Sequence, residues 1–389
     1  MDYQKILSER IKDIKPSGIR KFFAIANEME GVISLGVGEP DFKTPLAARK
    51  EAVRILEEGT TRYTANAGIK ELQEEISKYL KRRFDVDYAA DELFITVGGS
   101  EAIDLAIRVL VNPGDEVMVV QPSFVSYAPI AEMCHAKVVP INTTADNGFA
   151  LTAEQLKAAI TPKSKLLVLP FPSNPTGGIM TREQLEEIAE VLRGTDIMVL
   201  SDEIYAELTY GGRNHVSIAS IEGMRERTIL VSGFSKAYAM TGWRLGYVCA
   251  PKEITEQMLK LHQYAIMCAP TMSQYAAIVA MRDCDEEVVK MREEYDSRRR
   301  MVVSRLNAMG LDCFDPLGAF YVFPSIKRTG MSSEEFCEKL LYGKKVAVVP
   351  GNAFGESGEG HVRMCYAYSV EHLTEALDKI EEFVKDYIK

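Results

Sequence analysis

Thr228-Ile229-Leu230-Val231-Ser232-Gly233-Phe234-Ser235-Lys236-Ala237-Tyr238-Ala239-Met240-Thr241-Gly242-Trp243-Arg244-Leu245-Gly246 runs from an apolar stretch into a lysine among small residues, with Arg244 eight positions further on. The apolar start reads as a buried strand, which puts Lys236 at its end. An ammonium there is costly unless it is neutralised or bonded. A desolvated amine is the usual nucleophile for a Schiff base with a carbonyl group. The arginine is then placed to hold an anion on the same molecule. An aldehyde that carries a phosphate meets both demands, and pyridoxal 5'-phosphate is such a molecule.

Outward from this stretch, other short apolar runs precede polar or glycine-rich ends. Phe94-Ile95-Thr96-Val97 leads to Gly98-Gly99-Ser100-Glu101 and a helical pattern from Ser100 to Val111. Glu116–Val120, Lys165–Leu169 and Ile197–Leu200 are further strands. A helix follows Thr181, whose hydroxyl and Gln184 form a capping box. Continuous apolar strands alternating with helices predict an α/β fold, its mostly parallel sheet sandwiched between helices. A long charged helix is expected over 286–309, ended by Gly310. Beyond it, Ala319–Phe323, Val346–Val349 and His361–Cys365 alternate as short strands, which predicts a smaller α+β domain. The expected division is an N-terminal arm over 1–45 that joins the small domain, a large domain over 46–285, and a small domain over 286–389.

Ligands of an open parallel sheet bind outside the carboxyl ends of its strands. Gly99 and Ser100 open a helix there and offer free N–H groups to an anion. Asn174 sits in the turn Pro172–Gly177. Asp202, in Ser201-Asp202-Glu203-Ile204-Tyr205, follows a buried run; a pyridinium N–H would partner it, or it caps a helix. That carboxylate would keep the ring nitrogen protonated and the ring electron-withdrawing. Arg363 lies between Val362 and Met364, so burial demands a carboxylate for it, from a substrate or from a remote ion pair. Lys81-Arg82-Arg83 and Arg298-Arg299-Arg300 lie beside acidic residues and read as solvated helix faces.

Length and composition set outer bounds. The 389 residues suffice for two or three domains, and the net charge of −10 disfavours nucleic acid as a partner. No apolar run is long enough to span a membrane, and the start of the chain does not read as a signal peptide. Seven scattered cysteines and five histidines show no ligand spacing, so reduced thiols, no metal and a cytoplasmic protein are expected.

These residues resemble the fold-type I, class I/II pyridoxal-phosphate aminotransferases over essentially the whole chain. The likeness rests on Gly233–Gly246, and on Leu35-Gly36-Val37-Gly38-Glu39-Pro40-Asp41-Phe42, Tyr63 in Thr61–Thr64, Ser173–Gly177, Ser201–Tyr205, Gly318–Tyr321 and His361–Arg363. It implies that Lys236 binds the cofactor and shuttles a proton between Cα and C4'. Asp202 would pair with the ring nitrogen, Asn174 and Tyr205 with the phenolic oxygen, and Phe124 would stack on the ring. Gly99, Ser100 and Arg244 would hold the phosphate. Tyr63 would reach the phosphate of a neighbouring subunit, which implies a homodimer with shared sites. Arg363 and the backbone at Gly38 would hold the substrate carboxylate, and Asn174-Pro175 and Gln121-Pro122 would be cis.

Several relatives carry a serine three residues before the lysine, where this chain has Gly233; Ser235 or Ser232 is expected to substitute. The implied reaction is transfer of an amino group from an L-amino acid to a 2-oxo acid such as 2-oxoglutarate, by ping-pong kinetics. Aromatic amino acids are the first choice. N-acetyl-diaminopimelate is an alternative, since Ser17-Gly18-Ile19-Arg20-Lys21-Phe22 and His262-Gln263-Tyr264 resemble both aromatic and N-acetyl-diaminopimelate aminotransferases. Aspartate is less favoured, because some aspartate enzymes place a lysine where Ser100 stands. A carbon–sulfur β-lyase uses the same lysine chemistry and is the alternative class.

Overall fold

The computed structural model describes residues 1–14 and 29–388. Ser17–Phe22, Arg20 included, therefore lies outside the described residues. Strands are numbered in chain order: β1 (Ile33–Ser34), β2 (Leu93–Thr96), β3 (Glu116–Gln121), β4 (Lys137–Asn142), β5 (Ser164–Leu169), β6 (Met198–Asp202), β7 (Thr228–Gly233), β8 (Gly246–Cys249), β9 (Tyr321–Val322), β10 (Val346–Ala347), β11 (Val349–Pro350) and β12 (Val362–Cys365).

Seven of them form one sheet in the order β2-β8-β7-β6-β5-β3-β4. Only β8 runs against its neighbours; the pairs from β7 to β4 are parallel. The carboxyl ends of all six other strands thus share one edge. Leu166–Leu169 and Val199–Leu200 are almost wholly buried, as expected of strands covered on both faces. Each such Leu or Val taken out of water contributes roughly 1.5–3 kcal/mol.

The helices that cover the sheet start and stop where their ends demand. Thr181 and Gln184 form the reciprocal capping box of helix Arg182–Leu192. Asp285–Ala308 is the long helix, and Gly310 follows it at a φ of 86°, a left-handed position that suits glycine after a helix.

Past this helix the strands are shorter than the sequence pattern predicts. Only Tyr321–Val322 of the first stretch pairs, in an antiparallel sheet β11-β12-β9. The stretch Val346–Val349 splits, because β10 pairs with β1 in parallel while β11 joins β12. Neither Phe320–Phe323 nor Val362–Cys365 alternates in burial: both are buried throughout, most of their apolar residues packed with Ile33, Leu35 and the long helix, and Phe323 with Phe149, Val349 and Phe354. The segment before residue 45 thus reaches the second core through β1.

One expectation is overturned. Arg298 and Arg299 are not a solvated face but are buried. Asp41 and Glu294 pair with the first, and Asp296 and Asp315 with the second. Asp41 and Asp315, remote along the helix's own pattern, make that burial tolerable. Among the described residues no helix is long and apolar enough to cross a membrane, and no cluster could hold a metal ion.

Candidate active site

β7 and β8 are antiparallel neighbours, with Gly233 opposite Gly246. Their connection must therefore turn back at the carboxyl edge of the sheet, and it carries Lys236 and Arg244 there. β6 ends on Asp202 at the same edge, β5 leads into the turn with Asn174, β3 into Phe124, and β2 into Gly98–Ser100. The expected site residues converge on one cavity of about 540 Å³: Gly38, Gly99, Ser100, Phe124, Asn174, Asp202, Tyr205, Ser235, Lys236, Arg244 and Arg363 all line it. Tyr63 does not. It stands on the surface, 82% exposed.

Lys236 Nζ donates to the carbonyl of Gly38 at 2.7 Å. Burial pushes its amine down to about 8, so a usable fraction is uncharged near neutrality. Asp202 is buried, which raises its carboxyl above the usual range, while the Tyr127 hydroxyl pulls the other way. Tyr127 Oη donates to Asp202 Oδ2 at 2.7 Å and the Ile204 N–H to Oδ1 at 3.2 Å. The latter bond closes a turn, not a helix, so Asp202 is no helix cap.

Arg363 forms no ion pair among the described residues. It donates to Asn174 Oδ1 at 2.9 Å and to the Gly36 carbonyl, and its Nε is buried without a partner. Its guanidinium lies 4.6 Å from the Tyr321 ring centre and 4.8 Å from that of Phe354. Tyr205 and Tyr321 share a hydrogen bond of 2.8 Å between their hydroxyls. A buried guanidinium with an unused N–H is a receptor for a carboxylate.

The two candidate serines separate. Ser235 lines the cavity. Ser232 does not, and its hydroxyl is spent on the Glu203 carbonyl at 3.2 Å. Gly233 has no room for a side chain: a Cβ would lie 2.8 Å from Gly246 Cα and 3.0 Å from the Leu245 oxygen. Both implied cis peptides, Gln121-Pro122 and Asn174-Pro175, are present, with Phe171-Pro172 a third.

Sequence reasoning missed Tyr127 and Tyr321. Tyr127 is an aromatic three residues after Phe124, a spacing that marks only a helix face, and its partner Asp202 is 75 positions away. His262, which the sequence offered only as a specificity mark, is fully buried and pairs with Glu101 at 2.6 Å.

A lysine amine whose pKa is lowered by burial, at the edge of a parallel sheet and in one cavity with an arginine whose Nε has no partner, belongs to an enzyme that works on amines which carry carboxylates. The comparisons narrow this. Residues 30–380 match the family described as aminotransferase class I and II. The putative aminotransferase YugH of Bacillus subtilis is 54% identical, over 97% of this chain and 98% of its own. The probable N-acetyl-LL-diaminopimelate aminotransferase of the same organism is 46% identical, over 98% and 96%. The solved aromatic aminotransferase from Pyrococcus horikoshii has 42% identity and a TM-score of 0.90, over 95% and 99%.

The chain belongs to the class I and II aminotransferases. It is a transaminase of the fold-type I class, and its cofactor is pyridoxal 5'-phosphate.

The residues present fit that cofactor. Gly98 leaves the space a phosphate anchor needs, because a Cβ there would lie 2.7 Å from Arg244 Nη2. Arg244 bonds only the Thr241 carbonyl, at 3.1 Å, and has no carboxylate partner among the described residues. A free guanidinium beside the first N–H groups of helix Gly98–Leu110 is an anion site.

Proposed function

We propose that this chain moves an amino group from an L-amino acid, with aromatic side chains preferred, to a 2-oxo acid such as 2-oxoglutarate, by ping-pong kinetics. The observation that carries the reading is the single cavity in which a low-pKa lysine, a buried aspartate and a buried, half-satisfied arginine face one another. Val37, Ile103 and Tyr321 also line it, and they suit an aromatic side chain.

When bound, pyridoxal phosphate supplies an aldehyde for amines and a ring that withdraws electrons. The protein's share is then positional and acid–base. Lys236 Nζ holds the cofactor and, once free, takes the proton from the substrate Cα. Asp202 would accept a hydrogen bond from the ring nitrogen, Asn174 and Tyr205 would serve the phenolic oxygen, and Phe124 would cover the ring. Gly99, Ser100, Ser235 and Arg244 would hold the phosphate. Arg363, with the backbone at Gly38, holds the substrate carboxylate bidentately.

A homodimer is part of the proposal. Tyr63 is exposed beside a second exposed apolar segment, Tyr264 to Met267, which Asn66 ties to it through the Met267 carbonyl at 2.8 Å. A partner's Tyr63 reaching this phosphate would account for both. The seven cysteines, none in a disulfide, support a reducing compartment such as the cytoplasm. We also propose 46–285 and 286–389 as the two domains, with 1–45 the arm; the β1–β10 pairing supports it.

Purified, cofactor-loaded protein mixed with one amino acid and no acceptor tests the reading. One equivalent of 2-oxo acid per site is expected, fastest with phenylalanine or tyrosine, and none from Lys236→Ala. N-acetyl-diaminopimelate as the fastest donor would replace the aromatic assignment, and aspartate likewise. Continuous release of pyruvate and ammonia from cystathionine would make the chain a β-lyase.

A further inference from the structure

Gly36-Val37-Gly38 forms a strap at the cavity, with Val37 and Gly38 in its wall, and three successive carbonyls of it are occupied. Gly36 O accepts from Arg363, Val37 O from the Tyr368 hydroxyl at 3.4 Å, and Gly38 O from Lys236 Nζ at 2.7 Å. The backbone of one short segment therefore touches both the arginine and the lysine of the site. Its conformation is tightly set at Gly38, where a Cβ would overlap the Tyr321 hydroxyl.

The strap is tied at both ends. Before it, the Leu35 N–H bonds the Ala347 carbonyl at 2.9 Å, and the Leu35 carbonyl takes the Cys365 N–H at 2.7 Å. After it, Asp41 and Phe42 meet the long helix Asp285–Ala308. Asp41 Oδ2 lies 2.7 Å from Arg298 Nη1, and Asp41 Oδ1 accepts from the Tyr295 hydroxyl at 3.3 Å. Phe42 packs edge-on against Tyr295, with ring centres 5.4 Å apart. The Arg298 guanidinium lies over both rings, and its Nε reaches Glu294 at 3.1 Å.

An exposed ion pair would contribute little to holding a loop. This one is different, because the Arg298 side chain is only 8% exposed. Yet Arg298 has a second carboxylate in Glu294, so it does not need Asp41 to remain paired. The Asp41 bond therefore serves the strap more than the helix.

We propose that Asp41 and Arg298 are a positioning pair for the substrate carboxylate: their bond fixes the Gly36–Gly38 strap, and through it the orientation of Arg363. The inference rests on the reading of Arg363 as the carboxylate anchor. If the strap relaxes, that guanidinium keeps Asn174 Oδ1 as its remaining hydrogen-bond acceptor, beside the rings of Tyr321 and Phe354. Misplacement of a binding group by about 1 Å is enough to lose up to ~100-fold in rate.

The test uses holoenzyme carrying Asp41→Asn, Arg298→Lys or Arg363→Lys. KM and kcat are measured for phenylalanine, with the inhibition constant of 3-phenylpropionate, which offers a carboxylate but no amine. Asp41→Asn is expected to raise KM and the inhibition constant together by about tenfold, leaving kcat within about threefold and the melting temperature within a few degrees, because Glu294 still pairs the buried Arg298. Arg298→Lys keeps a cation near Asp41 and is expected to show a smaller rise of the same kind. KM and inhibition constant unchanged in Asp41→Asn, while Arg363→Lys raises both, would overturn the positioning pair and leave the Arg363 reading intact. Both constants unchanged in Arg363→Lys would instead remove the Arg363 reading itself, and the proposal with it. If Asp41→Asn does not fold, Arg298→Lys decides on the same two constants: a joint rise supports the pair, and unchanged values refute it.

Discussion

The hydroxyl of Tyr127 donates to Asp202 Oδ2 at 2.7 Å, inside the wall of the cavity. Burial alone pushes the Asp202 carboxyl up and so disfavours the anion that pairs best with a protonated ring nitrogen; the tyrosine opposes this. In Tyr127→Phe burial acts unopposed, so the carboxyl protonates at higher pH than in the parent. The acid limb of the kcat/KM profile should move to higher pH, with kcat at neutrality down about tenfold, worth one hydrogen bond to a charged group. An acid limb that stays in place would remove Tyr127 from the mechanism.

Lys236 supplies a second pH dependence. Its amine sits at about 8 in the folded protein, against 10.5 for an ordinary lysine, because burial penalises the ammonium. The unfolded chain therefore binds more protons between these two values, and this group's contribution makes the folded state relatively more stable as pH rises through that window. Lys236→Met removes the contribution. Cofactor-free Lys236→Met should exceed the cofactor-free parent in stability by a margin that shrinks by about 3 kcal/mol between pH 8 and 10.5. Urea denaturation of both proteins at each pH measures that margin; a constant difference would mean the amine is not desolvated.

The serine question has a steric answer. Gly233→Ser would drive its Cβ into the backbone of Leu245 and Gly246. It should cost about 1–3 kcal/mol of stability from overpacking and bring no tighter cofactor binding. Ser235→Ala should loosen pyridoxal phosphate by about five- to tenfold, as loss of one hydrogen bond predicts. Equilibrium titration of both variants with the cofactor compares them, and an unchanged affinity in Ser235→Ala would exclude that hydroxyl from the phosphate site.

Much of this site was legible because its residues sit at ends of strands that the apolar pattern marks by itself: Asp202 after β6, Lys236 after β7, Ser100 after β2. Lys236 and Arg363 also announce themselves, since a cation beside an apolar run needs a reason. Pairings made only in space were not legible. Tyr127 with Asp202 and Arg298 with Asp41 join positions far apart in the chain, and no local period carries them. β8 escaped notice because Gly246–Cys249 is four residues long and follows the lysine segment directly. β4 is mostly exposed and carries Pro140, so its pattern is not that of a buried strand. The stretch Val346–Val349 divides between two sheets, which an unbroken apolar run does not foretell.

A second tyrosine–carboxylate pair separates chemistry from support. Tyr79 Oη donates to the buried Glu207 at 2.6 Å, and Arg83 Nε reaches the same carboxylate at 2.9 Å. The pair has the composition of Tyr127 and Asp202, but none of its members lines the cavity. It ties the turn after β6 to helix Lys70–Phe84. Glu207→Ala strands a buried hydroxyl and an arginine that keeps 28% of its side-chain exposure, so part of the arginine's loss is recovered from water. The expected cost is about 2–4 kcal/mol, somewhat less than for breaking a fully buried pair. Activity of the folded fraction should stay within about threefold of the parent, since nothing that faces the substrate has changed. Thermal denaturation and single-turnover rates on the same preparation separate the two effects. A collapse of the rate without loss of stability would mean that the turn after β6, which also carries Tyr205, transmits the change to the site.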